Sequence, residues 1–502
     1  MTVFPVAVGC ESMSGFWLVL LLVAAVLLIW AAYDVFQRKH AILHNFPIIG
    51  HFRYWLEMIG PELRQYIVTS NDEERPFNRD ERRWVYASAK KANNYFGFGS
   101  DNDMEMTSNY LIIRHSPFPI DEPPPGTEGH DALYRVPCRK VFGQYRDRKH
   151  SFRPESIVNI SAMSFGSLSG TAIEALNRGA EICGCLHNTG EGGVSKHHQH
   201  GGELIWQIGT GYFGCRNDDG RFDLPSFLDV VASNPIRAIE IKLSQGAKPG
   251  RGGLLPAAKI TSEISKIRRI PMGKDCMSPA SHTAFDDVDS MLDFVEHLAD
   301  ESGLPVGIKS AVGQMSFWKE LIDQIVRTGR SVDFITIDGG EGGTGAAPLV
   351  FSDHVAMPFK LGFSSVYKLF MDAGLDQHIA FVGSGKLGFP EVALMSMTLG
   401  CDMINVGREA MLAIGCIQAQ RCHTGHCPTG VATQNRWLMR GLDPTDKSHR
   451  LANYVVSLRK EMLQLSRACG VEHPALVSTD HLELVDEHFQ SMTVTQRFGY
   501  RE

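Results

Sequence analysis

Three cysteines in Gly415-Cys416-Ile-Gln-Ala-Gln-Arg-Cys422-His-Thr-Gly-His-Cys427-Pro428 follow C-x5-C-x4-C and run straight into Pro428-Thr-Gly430. Thiolates gathered on one tight loop repel each other unless a metal neutralises them, and soft sulfur donors suit iron–sulfur clusters or zinc. Three sulfurs match a cluster lacking one iron corner better than a four-cysteine cluster. Zinc would need a fourth ligand, for which His423 or His426 stands nearby. The plain alternative is three core cysteines, but Arg421 and two histidines on a Pro/Gly loop are poor company for a core.

A second set of chemical residues lies on glycine-rich stretches upstream. They are Ser164-Phe-Gly166-Ser167, Gly190-Glu191-Gly192-Gly193 and Lys242-Leu-Ser-Gln245-Gly-Ala-Lys248-Pro-Gly-Arg251-Gly-Gly253. Lys309, Asp338-Gly339-Gly340-Glu341-Gly342-Gly343, Gly383-Ser384-Gly385-Lys386 and Gly407-Arg408 complete the set. Each follows or ends a short apolar run: 157–163, 185–189, 205–210, 238–243, 306–310, 334–338, 379–384 or 403–406. Helical segments such as 169–183, 289–302 and 317–327 intervene. Eight continuous apolar strands alternating with helices predict a buried parallel sheet the size of a (β/α)8 TIM barrel, whose active site opens at the C-terminal strand ends. A doubly wound sheet is the alternative, but the turn after the first strand lacks GxGxxG. Glycines after the sixth, seventh and eighth strands, with Arg408 beside them, are the parts of a barrel phosphate site.

Composition agrees with such a chain. Its 502 residues are 43% hydrophobic, enough for one large domain with additions. A net charge of −7 gives no reason to expect nucleic acid as a partner. Eleven cysteines without framework spacing argue against a disulfide scaffold and for a reducing compartment. The run 16–33 (FWLVLLLVAAVLLIWAAY) has no charge and has tryptophans near both ends. It predicts a transmembrane helix over 16–36, with Arg38 and Lys39 following, hence a single-pass membrane protein with its catalytic domain in the cytoplasm. A signal peptide and a buried core helix are the rivals; the run lacks a basic start and a small-x-small cleavage site. The expected organisation is a short segment 1–15, the span 16–36, an irregular membrane-proximal extension 37–150, the barrel with its cysteine loop over 151–440, and a helical tail 441–502. Aromatic residues after the anchor suit a bilayer surface or packing on the main domain. The tract Lys196-His-His-Gln-His200 reads as a polar loop rather than a metal site.

The stretches Met163–Ser169, Gly190–Gly193, Lys242–Gly253 and Asp338–Gly345, with Cys422-His-x-x-x-Cys427-Pro-x-Gly-Val-Ala-Thr-Gln434, closely resemble the FMN-binding synthase domain of the glutamate synthases. The resemblance runs from about Arg153 to Gln434. It implies a barrel holding FMN beside a 3Fe–4S cluster on Cys416, Cys422 and Cys427, and reduction of 2-iminoglutarate, formed from 2-oxoglutarate and ammonia, to glutamate. On that reading Ser164, Gly166 and Ser167 face the flavin, and Lys309 places positive charge near its N1/O2 edge. Asp338, Gly339, Gly340, Gly343, Gly383, Gly385, Gly407 and Arg408 belong to the cofactor's binding loops, the last six holding phosphate. Lys242, Gln245 and Lys248 form a cationic edge for a dicarboxylate, Glu191 handles protons or ammonium, and His282 lies over the substrate. Lys309 and Lys248 have plainer readings as an ion pair and a loop charge, and His282 as a surface residue.

The family's glutaminase domain, C-terminal β-helix and nucleotide fingerprint are not expected in this chain. An unidentified electron donor and a separate ammonia-supplying subunit are therefore the expected partners, alongside membrane lipid. A related reaction giving an N-alkyl glutamate or another amino acid, or a redox relay without turnover, are the alternative functions.

Overall fold

The computed structural model describes residues 10–105 and 107–500, so residues 1–9 of the expected segment 1–15 lie outside the described ones. The chain forms two compact units, Met1–Asp80 and Glu81–Glu502.

The smaller unit begins with a helix, Cys10–Phe36, followed by Ala41–Asn45 and Gly50–Leu63 and a π-helical turn, Arg64–Val68. Residues Gly15–Phe36 are long and apolar enough to cross a membrane, and the most apolar window of that stretch has no residue buried within the protein. At about 1.5 Å per residue this stretch matches a ~30 Å hydrocarbon core.

The larger unit is built on a closed eight-stranded parallel barrel, as expected. Its strands are β1 Val158–Ile160, β2 His187–Asn188, β3 Leu204–Ile208, β4 Ile236–Lys242, β5 Val306–Ser310, β6 Phe334–Asp338, β7 Ala380–Ser384 and β8 Met403–Val406. Each pairs with its sequence neighbours, and β8 closes on β1. Helices between strands carry their own stop signals: Gly170–Cys183 is capped by the Ser169 hydroxyl and ended by Gly184 in the left-handed region. Register puts chemistry at one level. Lys242 of β4 pairs with Lys309 of β5, and Asp338 of β6 pairs with Ser384 of β7.

The interior is layered. An apolar floor joins Phe334, Ala238, Ile205 and Met403 to Phe142 and Phe152. Phe142, from the extension expected to be irregular, is bridge-paired with Phe152 at the start of the expected barrel region. Above this floor, Glu240 is buried and accepts from Asn188 Nδ2 at 2.8 Å, Gln207 Nε2 at 2.7 Å and Thr336 Oγ1 at 2.6 Å. Three neutral donors satisfy a carboxylate that alternation along β4 aims into the barrel.

The flanks differ from the expectation in two respects. The helix Arg79–Ala89, in a charge-dense stretch that reads as a solvated helix or loop, is partly buried: its Trp84 packs 5.9 Å from the ring of Tyr454 and donates to Glu461. The tail is not only helical. After the helix Pro444–Ala468, the strand Leu482–Val485 pairs with Tyr110–Ile113 and Ser491–Thr493 in a separate antiparallel sheet. Each of these strands is three or four residues long, and Tyr110–Ile113 lies hundreds of residues from its partner, so no local pattern reveals the sheet.

Candidate active site

The strand-end loops converge because glycine lets their backbones touch. A Cβ on Gly190 would lie 2.6 Å from Ser164 N, and one on Gly246 would lie 1.8 Å from Gly339 O. No other residue type fits there without moving the neighbouring chain. The loop after β1 (Ser164, Gly166, Ser167) is thus pressed against the loop after β2. Arg268, a buried guanidinium that the sequence reading missed, spans the two. It donates to Phe165 O at 2.9 Å, and Ser164 Oγ lies 3.5 Å away. Arg268 sits in the insertion between β4 and β5, where nothing local marks it as part of the site.

At the centre stand Lys242, Glu191 and Gln245. Lys242 Nζ donates to Glu191 Oε1 at 2.7 Å and to Gln245 Oε1 at 2.8 Å, with the ion pair nearly enclosed. Burial pushes the Glu191 carboxyl up, but Lys242, Lys248 and Arg268 outweigh it and hold the group below the ordinary range. Lys248, also buried, reaches Gly252 O at 3.4 Å. Burial, then the charge of Lys242, lowers its pKa despite Glu191. Three cations act on one carboxylate here, an excess of two positive charges (3 − 1).

His282 sits over this group with both ring nitrogens engaged. Its Nε2 lies 3.0 Å from Lys242 O and its Nδ1 3.0 Å from Tyr212 Oη. A carbonyl only accepts, so Nε2 carries the proton and Nδ1 takes the Tyr212 hydroxyl's. Tyr212 also accepts from the amides of Thr283 and Ala284. Burial keeps His282 below its ordinary pKa. Tyr212 is the second residue the sequence reading missed: its role is visible only once residues 282–284 fold back on it.

On the two strands after β4, Lys309 Nζ lies 3.5 Å from Asp338 Oδ2, and that carboxylate accepts from Gly246 N at 2.9 Å. The amides of Gly339, Gly340 and Gly342 already donate to Ser384 O, Met357 O and Gly339 O. Gly343 lies against the Arg408 side chain, which donates to Glu341 O. Gly383 packs on Cys401, and Gly385, in the left-handed region, lies against Gly339.

The cysteine loop docks on the same face. Gln434 Nε2 donates to Leu168 O at 2.8 Å and to Gly166 O at 3.3 Å, and Ser169 N donates to Val431 O. Lys259, buried, donates to Cys422 O at 2.7 Å. The three cysteines are close enough to sense one another's charge. Burial, with the other two thiols, pushes Cys416 up to about 12, and burial with Cys427 raises Cys422. Burial opposes ionisation of Cys427 as well, but the amide of Ala432 and the amide and hydroxyl of Thr429 outweigh it and bring that thiol below its usual value. Among the described residues, no three His, Cys, Asp or Glu side chains are placed to share one metal ion. In the histidine tract, His198 Nδ1 lies 2.9 Å from Ser195 Oγ.

Comparison with known proteins follows the same outline. The family described as "Conserved region in glutamate synthase" matches residues 140–472. The "Glutamate synthase large subunit-like protein YerD" of Bacillus subtilis (strain 168) is 37% identical over 481 residues, covering 89% of this chain and 90% of that one. The "Archaeal glutamate synthase (NADPH)" of Methanocaldococcus jannaschii is 35% identical over 317 residues, which is 62% of this chain and 59% of that relative's length. Among solved structures, the recombinant flavin-binding domain of baker's yeast flavocytochrome b2 aligns with a TM-score of 0.43 at 12% identity, covering 84% of each chain.

Proposed function

Because the chain belongs to the glutamate synthase family and is an oxidoreductase of that kind, we propose that it reduces the imine of 2-oxoglutarate and ammonia to glutamate with FMN and a 3Fe–4S cluster. The observation that carries this reading is the excess of two positive charges around Glu191, which matches the two carboxylates of the substrate.

The residues at the strand ends suit the flavin. Lys309 brings a cation to the rim, and Asn405 Oδ1, buried without a partner, is an acceptor of the kind a ribityl hydroxyl satisfies. Since the amides of Gly339, Gly340 and Gly342 are committed, the phosphate falls to Gly343, Gly385 and Gly407 with Arg408. The nearest atom to a Cβ on Gly407 would be 3.4 Å away, in ordinary contact. Cys416, Cys422 and Cys427 would hold the cluster, which would supply one-electron transfer to the flavin. FMN, when bound, supplies the hydride for the imine carbon.

This chain's side chains do the rest. Lys248 and Arg268 bind the two carboxylates. Lys242 presents a proton to the imine nitrogen, and ionised Glu191, with Gln245, fixes the direction of its Nζ. His282, held as the Nε2–H form by Tyr212, pins the Lys242 backbone. The span Gly15–Phe36 anchors the chain, and Arg38 and Lys39 put the barrel on the cytoplasmic side.

Anaerobic absorbance and electron paramagnetic resonance of the detergent-solubilised protein test the cofactors. Glutamate formation from 2-oxoglutarate and ammonium, with a chemical reductant, tests the reaction. Protein with neither a flavin band nor a cluster signal, or one that turns over methylamine in place of ammonia, sinks this assignment.

A further inference from the structure

The helix Gly50–Leu63 is amphipathic, and its apolar side faces outward. Phe52, Trp55, Leu56, Ile59 and Leu63 recur at helical spacing on one side. Phe52 is 59% exposed, Trp55 50% and Leu56 41%. Arg53 and Glu57, paired at 3.0 Å, stand on the opposite side. The turn after the helix continues the exposed apolar surface with Ile67 and Val68, each 74% exposed.

Its attachment point sets its depth. Asp34, in the last turn of the apolar helix and fully buried, accepts from Ile48 N at 2.8 Å and lies 2.9 Å from His51 Nε2. His51 stacks obliquely on Trp30 at 5.0 Å between ring centroids, and Tyr54 meets His40 edge-on at 5.4 Å. The start of Gly50–Leu63 is therefore tied to the end of the candidate span. A tryptophan and two charged residues, Arg38 and Lys39, mark the water–lipid boundary at that level.

We infer that Gly50–Val68 is a second membrane element, lying in the headgroup plane with Phe52, Trp55, Leu56 and Leu63 in the lipid and Arg53 and Glu57 in water. The occupant of this face is the bilayer itself, because the face continues from the surface of the apolar helix and shares its boundary residues. The inference rests on the anchoring reading for the depth of the helix, but not for its contact with lipid.

The test is lipid-phase carbene photolabelling of the full-length protein in phosphatidylcholine–phosphatidylglycerol vesicles, mapped by peptide mass spectrometry. Label is expected in both 15–36 and 50–68, and within the second segment on Phe52, Trp55 and Leu56 rather than on Arg53 and Glu57. The double variant Trp55→Glu, Leu56→Glu, at exposed positions, should lower labelling of 50–68 by about tenfold while 15–36 stays labelled. Label in 15–36 alone overturns the inference and leaves the span standing. Label in 50–68 alone upholds it and removes the span, and label in neither segment overturns both.

Discussion

Lys242 Nζ lies 2.7 Å from Glu191 Oε1, within a pair about nine-tenths buried on the lysine side. Glu191 comes from the loop after β2 and Lys242 from the end of β4, so this one ion pair bridges two walls of the barrel mouth. Burial penalises both charges, and the pair persists because each compensates the other.

Removing either partner should therefore show in both stability and turnover. Glu191→Gln leaves Lys242 facing a neutral amide and should lower kcat about 100-fold, the scale of one misplaced proton-transfer group. It should also cost about 3–5 kcal/mol of stability, the scale for breaking a buried pair. Glu191→Gln combined with Lys242→Met should cost less than the sum of the single changes, since neither charge is then left alone. Steady-state assays and denaturant melts of the four proteins check this. Additive losses would mean that the two groups do not act as a unit.

Acid should unfold the barrel through its buried imidazoles. Burial holds His187 at about 3, against an ordinary value of 6.5, and keeps His198 and His282 below that value as well. A depressed folded pKa means that the unfolded chain binds the proton more tightly. The stability these groups contribute is then complete above pH 6.5 and declines as the pH falls towards the folded value. Each should add about 1.4 kcal/mol per pH unit to the slope. Urea titrations between pH 6.5 and pH 4 should show this decline, and His187→Leu should flatten it by about one proton. An unchanged slope in that variant would place the acid sensitivity elsewhere.

Gly246 should tolerate nothing larger. The nearest atom to its added Cβ is Gly339 O at 1.8 Å, and both sides of that contact are backbone. Gly246 N is also the donor that holds Asp338 beside Lys309. Gly246→Ala should cost about 1–3 kcal/mol by overpacking and release flavin from the purified protein. Gly313→Ala, with open space around the new methyl, should leave both unchanged. Flavin content per chain and the melting temperature read the difference.

The barrel was legible because its strands are buried on both faces and so appear as unbroken apolar runs. Phe334–Asp338 and Met403–Val406 fall where the residues alone place them. That Glu191, Lys242, Gln245 and Lys248 come together at the strand ends was legible too, because glycine flanks them and glycine-rich loops after strands mark close backbone approach. Arg268 and Tyr212 were not. Both act through contacts made by an excursion between β4 and β5 or across seventy residues of chain, and an arginine or tyrosine there looks like any surface residue. The strands Tyr110–Ile113 and Leu482–Val485 escaped for the same reason: neither has a periodic pattern, and each exists because the other is present.

The join between the cysteine loop and the loop after β1 gives the last prediction. Gln434 donates to Leu168 O and Gly166 O and Ser169 N donates to Val431 O, so the segment carrying Cys427 is fixed to the segment carrying Ser164 and Ser167 by one side-chain amide and one backbone bond. On the proposed cofactor set, Cys427→Ser should abolish the cluster's paramagnetic signal while the flavin band stays, because Gln434 and Val431, not Cys427, make the contacts to the loop after β1. Gln434→Ala should keep both signals. It takes the Gln434 donor from Gly166 O, while Leu168 O keeps Gly166 N, and should cost about 1–3 kcal/mol of stability. The sharper readout is kinetic: flavin reduction by electrons entering through the cluster should slow, while reduction by a small reductant reaching the flavin directly should not. Equal rates by both routes in Gln434→Ala would show that docking of the two loops does not govern transfer between them.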